Sequence, residues 1–70
     1  MTRIVINENK SVYVDGYRHI LKYNEDEIVL KLSKKQLHIK GNELTITSFC
    51  NTELLITGNI MNIVLKRING

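Results

Sequence analysis

The chain has 70 residues, 43% apolar and 24% charged, with a net charge of +3. This composition excludes a disordered polyelectrolyte and leaves a single domain, 1–70, that buries only about 60% of its unfolded surface. The ten Lys and Arg residues are scattered, with only Lys34-Lys35 and Lys66-Arg67 adjacent, so a concentrated nucleic-acid patch is not expected.

Taken in chain order, the sequence alternates apolar and polar residues with a period of two. That is the pattern of strands with one buried face. Ile4 and Ile6 precede Asn7-Glu8-Asn9, and Val12 and Val14 follow it. Leu21 and Tyr23 precede Asn24-Glu25-Asp26, and Ile28 and Leu30 follow. The block Leu37-His38-Ile39-Lys40-Gly41-Asn42-Glu43-Leu44-Thr45-Ile46 then recurs 17 residues later as Leu54-Leu55-Ile56-Thr57-Gly58-Asn59-Ile60-Met61-Asn62-Ile63. Strands are expected at 3–6, 11–15, 18–23, 27–32, 36–40, 43–48, 53–57 and 60–66, with the last few residues able to curl into a turn. No segment sustains helical spacing. The absence of Ala and the wealth of Ile, Val and Thr favour strand over helix. The excess of Ile, Asn and Lys also points to a low-GC genome.

The expected fold class is all-β: a small antiparallel β-sandwich or partly open barrel of seven to eight short strands. The alternative is a short β-solenoid of four 16–17-residue units. Gly41-Asn42, Gly58-Asn59 and Asp15-Gly16 look like two-residue hairpin connections and favour the antiparallel arrangement. So small a core would gain from a homodimer paired through its edge strands.

Candidate chemistry is sparse. His19 and His38 are the only histidines and lie at strand positions without Cys-x-x-Cys or His-x-x-x-His spacing, so no metal is expected. Glu25-Asp26-Glu27 lacks calcium-loop spacing and reads as a solvated turn. The four glycines are single turn makers rather than a phosphate loop, and no cofactor is expected. Cys50 is the only cysteine. It fits a reducing compartment and reads as a half-buried small hydrophobe beside Phe49. No apolar run is long enough to span a membrane as a helix, and no secretory signal core is evident. Asn9-Lys10-Ser11 matches a glycosylation sequon without other support for secretion.

Three surface hypotheses follow. Tyr13, Leu55, Ile60 and Val64 fall off the main apolar parity of their strands; they either cover a second core face or offer apolar contacts to a partner. Tyr17, Tyr23, Arg18 and Lys22 are the residues a nucleic-acid-binding β-barrel would use, although the aromatics and the cations sit on opposite parities. An enzyme would need a pocket between subunits around His38 or Cys50.

The segment from Tyr13 to Lys66 resembles the YabP/YqfC family of sporulation proteins, nearer its YqfC branch. The resemblance rests on Gly16 and Ile20, then Tyr23-Asn24-Glu25-Asp26-Glu27-Ile28. It continues through Leu37-x-Ile39-x-Gly41-x-x-Leu44-x-Ile46 and Leu54-x-Ile56-x-Gly58-x-Ile60. The chain departs from the family in lacking a Gly near Lys34-Lys35 and in ending its last strand with Leu65-Lys66 rather than an aromatic. The resemblance implies a non-enzymatic protein with no catalytic, cofactor-binding or metal residues to carry over. It implies the mother-cell cytoplasm of an endospore-forming bacterium, and a membrane-associated partner of the YqfD type. The expected function is therefore a small sporulation-associated interaction module, peripheral to a membrane through its partner; the alternative is a small β-barrel nucleic-acid-binding protein.

Overall fold

The computed structural model describes residues 2–8 and 10–67. Six strands run antiparallel: β1 (Arg3–Asn7), β2 (Ser11–Asp15), β3 (His19–Tyr23), β4 (Glu27–Lys31), β5 (Lys35–Cys50) and β6 (Glu53–Arg67). They form one open sheet in the order β1-β2-β6-β5-β4-β3. Every pairing is antiparallel, which removes the solenoid alternative.

Two strands are long, and the expected eight become six for that reason. The segments expected at 36–40 and 43–48 are one strand, β5; those at 53–57 and 60–66 are one strand, β6. Gly41-Asn42 and Gly58-Asn59 are therefore not hairpin connections. They lie inside the β5–β6 ladder, where the register shifts after Lys40 and again between Asn42 and Thr45. Asp15-Gly16 is not a hairpin either, because it leads from β2 to β3, which do not pair. The real hairpin between β3 and β4 is closed by Asn24, whose Oδ1 accepts the N–H groups of Asp26 and Glu27 at 2.8 and 2.7 Å. That is a side-chain turn of the Asx type. Asn51, with φ of 51°, turns β5 into β6. The suggested terminal turn lies partly outside the described residues; up to Arg67 the chain is strand.

The long hairpin folds the sheet into two layers. In the first, β1 and β2 join residues 53–57 of β6, which pair onward with 45–50 of β5. In the second, β3 and β4 join residues 35–40 of β5, which pair onward with 62–67 of β6. Inward-facing side chains from both layers make one core: Val12, Val14, Leu54 and Ile56 from the first, and Ile28, Leu30, Leu37 and Ile39 from the second. Each of these is almost fully buried. At about 1.5–3 kcal/mol per buried aliphatic side chain, this cluster supplies most of the driving force.

The fold at the two glycines is a backbone-on-backbone approach. A Cβ at Gly41 would lie 2.0 Å from the carbonyl oxygen of Asn59; at Gly58 it would lie 2.6 Å from the carbonyl oxygen of Glu43. Gly58 also holds φ of 136°, a region that side-chain-bearing residues rarely enter. Each glycine is then pinned by its neighbouring hairpin. The Gly41 N–H donates to the Asp26 carbonyl at 3.0 Å, and the Gly58 N–H to the Lys10 carbonyl at 3.1 Å.

Those two bonds are equivalent under an internal two-fold. Gly41 and Gly58 are 17 positions apart, Lys10 and Asp26 are 16. In the ladder Asn42 pairs with its own repeat mate Asn59, Ile39 with Ile63, and Ile46 with Ile56. Val12↔Ile56 and Val14↔Leu54 in one layer match Ile28↔Ile39 and Leu30↔Leu37 in the other. The four sequence units are thus two copies of a hairpin plus half of each long strand.

Replacing Gly41 or Gly58 by Ala should cost at least about 3 kcal/mol, because the opposing atoms are backbone and have nowhere to move. In a domain this small that is enough to unfold most of the population. Asn42→Ala, at an exposed position beside Gly41, should shift stability by less than about 0.5 kcal/mol. Urea denaturation followed by circular dichroism distinguishes the two cases.

Candidate interaction surface

Facing out from the first layer, Val5, Tyr13 and Leu55 stand side by side on β1, β2 and β6. Tyr13 and Leu55 are half-buried and Val5 is exposed. Two of the four off-parity residues therefore share one apolar row. Val64 belongs to the opposite face, in register with His38, Val29 and Lys22. Ile60 is a correction: paired with Gly41 just beyond the bend, it lies in the core at 4% exposure. The change of register at the bend turns its side chain inward, which simple alternation cannot anticipate.

The apolar row is flanked by a hydrogen bond across strands. The Tyr13 hydroxyl donates to Glu53 Oε1. That bond holds the proton on the phenol, with burial and the Glu53 and Asp15 charges adding to the effect and Arg3 opposing it. The Tyr13 pKa is pushed up to about 12.

The outer face of the second layer is paired internally. Lys22 Nζ lies 2.9 Å from Glu27 Oε1, and His38 Nδ1 lies 3.8 Å from Glu27 Oε2. His38 Nε2 also reaches Gln36 Oε1 at 3.2 Å. The Lys22 hydrogen bond holds the Glu27 carboxyl below its ordinary pKa against the opposing effect of burial, with further help from the Lys22, Lys40 and His38 charges.

The residues named for nucleic acid do not form one platform. Tyr17 is buried, 9% exposed, and meets Phe49 edge-on with ring centroids 6.4 Å apart. The Tyr23 hydroxyl accepts the Ile46 N–H at 3.1 Å. Lys22 is engaged with Glu27. Of the four, only the Arg18 side chain has no partner among the described residues; it stands next to His19, beside a wide solvent-open groove of about 740 Å³ that also includes Asp15, Tyr17 and Thr52. Cys50 is exposed rather than half-buried, at the end of β5 opposite Glu53. It lies in the first layer, whereas His38 lies on the outer face of the second, so the chain does not bring these two together. Of the acidic tip, Glu25 and Asp26 carry backbone roles: their carbonyls accept the N–H groups of Leu44 and Gly41. Among the described residues no three His, Cys, Asp or Glu side chains converge.

Sequence reasoning missed a third feature, the gap between β1 and the end of β6. A groove of about 360 Å³ lies there, lined by Ile4, Leu32, Leu65, Lys34 and Lys35 among others. Ile6 and Leu65 sit on the inward parity of their strands, opposite Val12 and Leu37, yet are 52% and 47% exposed. Alternation alone assigns both to the core; the exposure follows because β1 and the second half of β6 each form the margin of their layer.

The phenol of Tyr13 gives a direct check on the apolar row. Because its folded pKa is raised, its contribution to stability is complete below pH 10 and is lost as pH rises toward 12. In an ultraviolet titration the Tyr13 phenol should ionise late. That late step should vanish in Tyr13→Phe and move back toward 10 in Glu53→Gln.

Among the described residues no helix is long and apolar enough to cross a membrane. Comparison with curated proteins and with solved structures finds no match. The family model described as the YabP family matches residues 1–69. That match covers the folded hairpin, both repeat blocks and every strand described above. It agrees with the resemblance carried by the Gly41 and Gly58 blocks. The family is not a known enzyme family, and membership suggests a small sporulation-related protein. The chain belongs to the YabP family.

Proposed function

We propose that this domain is a non-catalytic interaction module of sporulation. It works in the mother-cell cytoplasm, binds a membrane-associated protein of the YqfD type and belongs to the YqfC branch. The observation that carries this reading is the open apolar groove between β1 and the end of β6, lined by Ile4, Leu32 and Leu65, with Ile6 next along β1 and both Ile6 and Leu65 exposed. Contiguous apolar surface left open in this way marks a contact site. Membership of the YabP family supports the setting. Strand edges and apolar strips are also surfaces on which small β domains capture partners without needing a pocket.

The test is affinity capture with the tagged domain from detergent-solubilised membranes, comparing sporulating with vegetative cells of the native host. The expected result is reproducible recovery of a YqfD-type membrane protein from the sporulating sample alone. Recovery of RNA, of only a second copy of this chain, or of nothing reproducible contradicts the reading.

A further inference from the structure

The internal two-fold makes two seams between the layers, and they are not alike. One lies between β3 and residues 41–50 of β5. Three bonds bridge it: Ile46 N–H to the Tyr23 hydroxyl, Leu44 N–H to the Glu25 carbonyl, and Gly41 N–H to the Asp26 carbonyl. Its counterpart lies between β1 and residues 60–67 of β6. Among the described residues, the bond from Gly58 N–H to the Lys10 carbonyl closes its inner end; the counterpart of the Leu44–Glu25 bond would fall on Asn9, outside the described residues. At neither seam do Cα atoms of the two facing strands come within 8 Å, so what spans the gap decides whether it is closed. The first is spanned by the Tyr23 phenol; in the second the equivalent position is Asn7, whose side chain is far shorter. Among the described residues β1 pairs only with β2, and this end of β6 pairs only with β5. Both backbones thus present an unpaired edge to the same gap.

We infer that this second seam receives an extended acidic segment of the partner protein, which adds as a further strand between β1 and the end of β6. The inference rests on the proposed role as a protein-binding module and names its surface. Three observations carry it. No Cα pair across the gap comes within 8 Å, so β1 and the end of β6 are too far apart to pair directly and leave the edge open to an added strand. The floor is apolar: Ile4, Leu32 and Leu65 line the groove, and Ile6 extends the row along β1. Alternate residues of an inserted strand would cover them, as in strand addition generally. The mouth is cationic. Lys34 and Lys35 line it, Arg67 pairs with Lys35 in the ladder, and no acidic residue lines the groove among the described residues. None of the three cations has a salt-bridge partner among the described residues. The same charge disfavours a second copy of this chain here, since each copy would bring the same cations to the joint.

The probe is a short synthetic peptide alternating valine with glutamate, set against the same peptide with lysine in place of glutamate. Amide hydrogen exchange of the full domain, read by NMR, reports where each one binds. The acidic peptide should slow exchange at β1 and at residues 60–67, with an affinity that falls as salt rises. Reversing both charges, Lys34→Glu with Lys35→Glu, should weaken it roughly tenfold. Both lysines are exposed at the turn into β5, so the variant keeps the fold, and its circular dichroism spectrum checks that. Equal binding of the lysine peptide, protection confined to other strands, or no protection by either peptide overturns the inference. Slowed exchange at these amides that depends on protein concentration alone overturns it too, and assigns the seam to a second copy. In the capture experiment, retention of the membrane partner by the double variant sinks this surface while leaving the broader role standing. Failure of the wild-type domain to capture anything sinks the broader role, and peptide binding then still places an acidic strand in the seam.

Discussion

Everything in this domain depends on two places where backbone meets backbone without a side chain between. At Gly41 and Gly58 the long β5–β6 hairpin folds across itself, with a carbonyl oxygen occupying the space of a Cβ. Without that fold the two strands would form a long, flat, two-stranded ribbon, which has no core and little stability in water. With it, the same ribbon supplies the third and fourth rows of both layers, and one hairpin docks on each half. The glycine N–H groups then clamp those hairpins through Lys10 and Asp26. One covalent feature thus sets layer count, hairpin position and core at once.

The near-symmetry that follows is informative where it breaks. Core pairs repeat faithfully from half to half, as Val12↔Ile56 and Ile28↔Ile39 do, because both halves must fill the same space between layers. The outer seams are under no such demand. One has acquired Tyr23 as a strut to Ile46. The other keeps Ile6 and Leu65 exposed, under a rim of lysines. A domain that needed only stability would gain by covering these apolar residues. Their exposure is the physical basis of the proposal that this side of the molecule meets a partner.

Much of the fold was legible in the sequence. Period-two alternation located every strand, and β2 runs over the expected 11–15. The repeat of Leu-x-Ile-x-Gly-Asn marked the two blocks that pair with each other. What misled was the role of glycine. Gly41-Asn42 carries the composition of a tight turn, and only long-range contact with Asn59 shows that the strand continues through it. Ile60 and Cys50 went astray for the same kind of reason. The first is turned inward by a register shift, and the second lies exposed at the far end of a strand whose length alternation does not reveal. The surface was less legible than the fold. Burial at an edge depends on what the opposite layer covers, and Leu65 reads like Leu37 until its neighbours are placed. The tyrosines likewise suggested stacking, whereas Tyr17 packs on Phe49 and Tyr23 braces Ile46.

The most direct test of the folded hairpin is native-state hydrogen exchange at the Gly41 and Gly58 amides. If the two strands pass through these residues and are clamped by the flanking hairpins, both amides exchange only on global unfolding, as slowly as those of Ile39 and Ile56. If instead each glycine sits in a separate two-residue turn between short strands, its amide exchanges rapidly like other solvent-facing turn amides. That result would contradict the continuity of β5 and β6 on which the two layers rest.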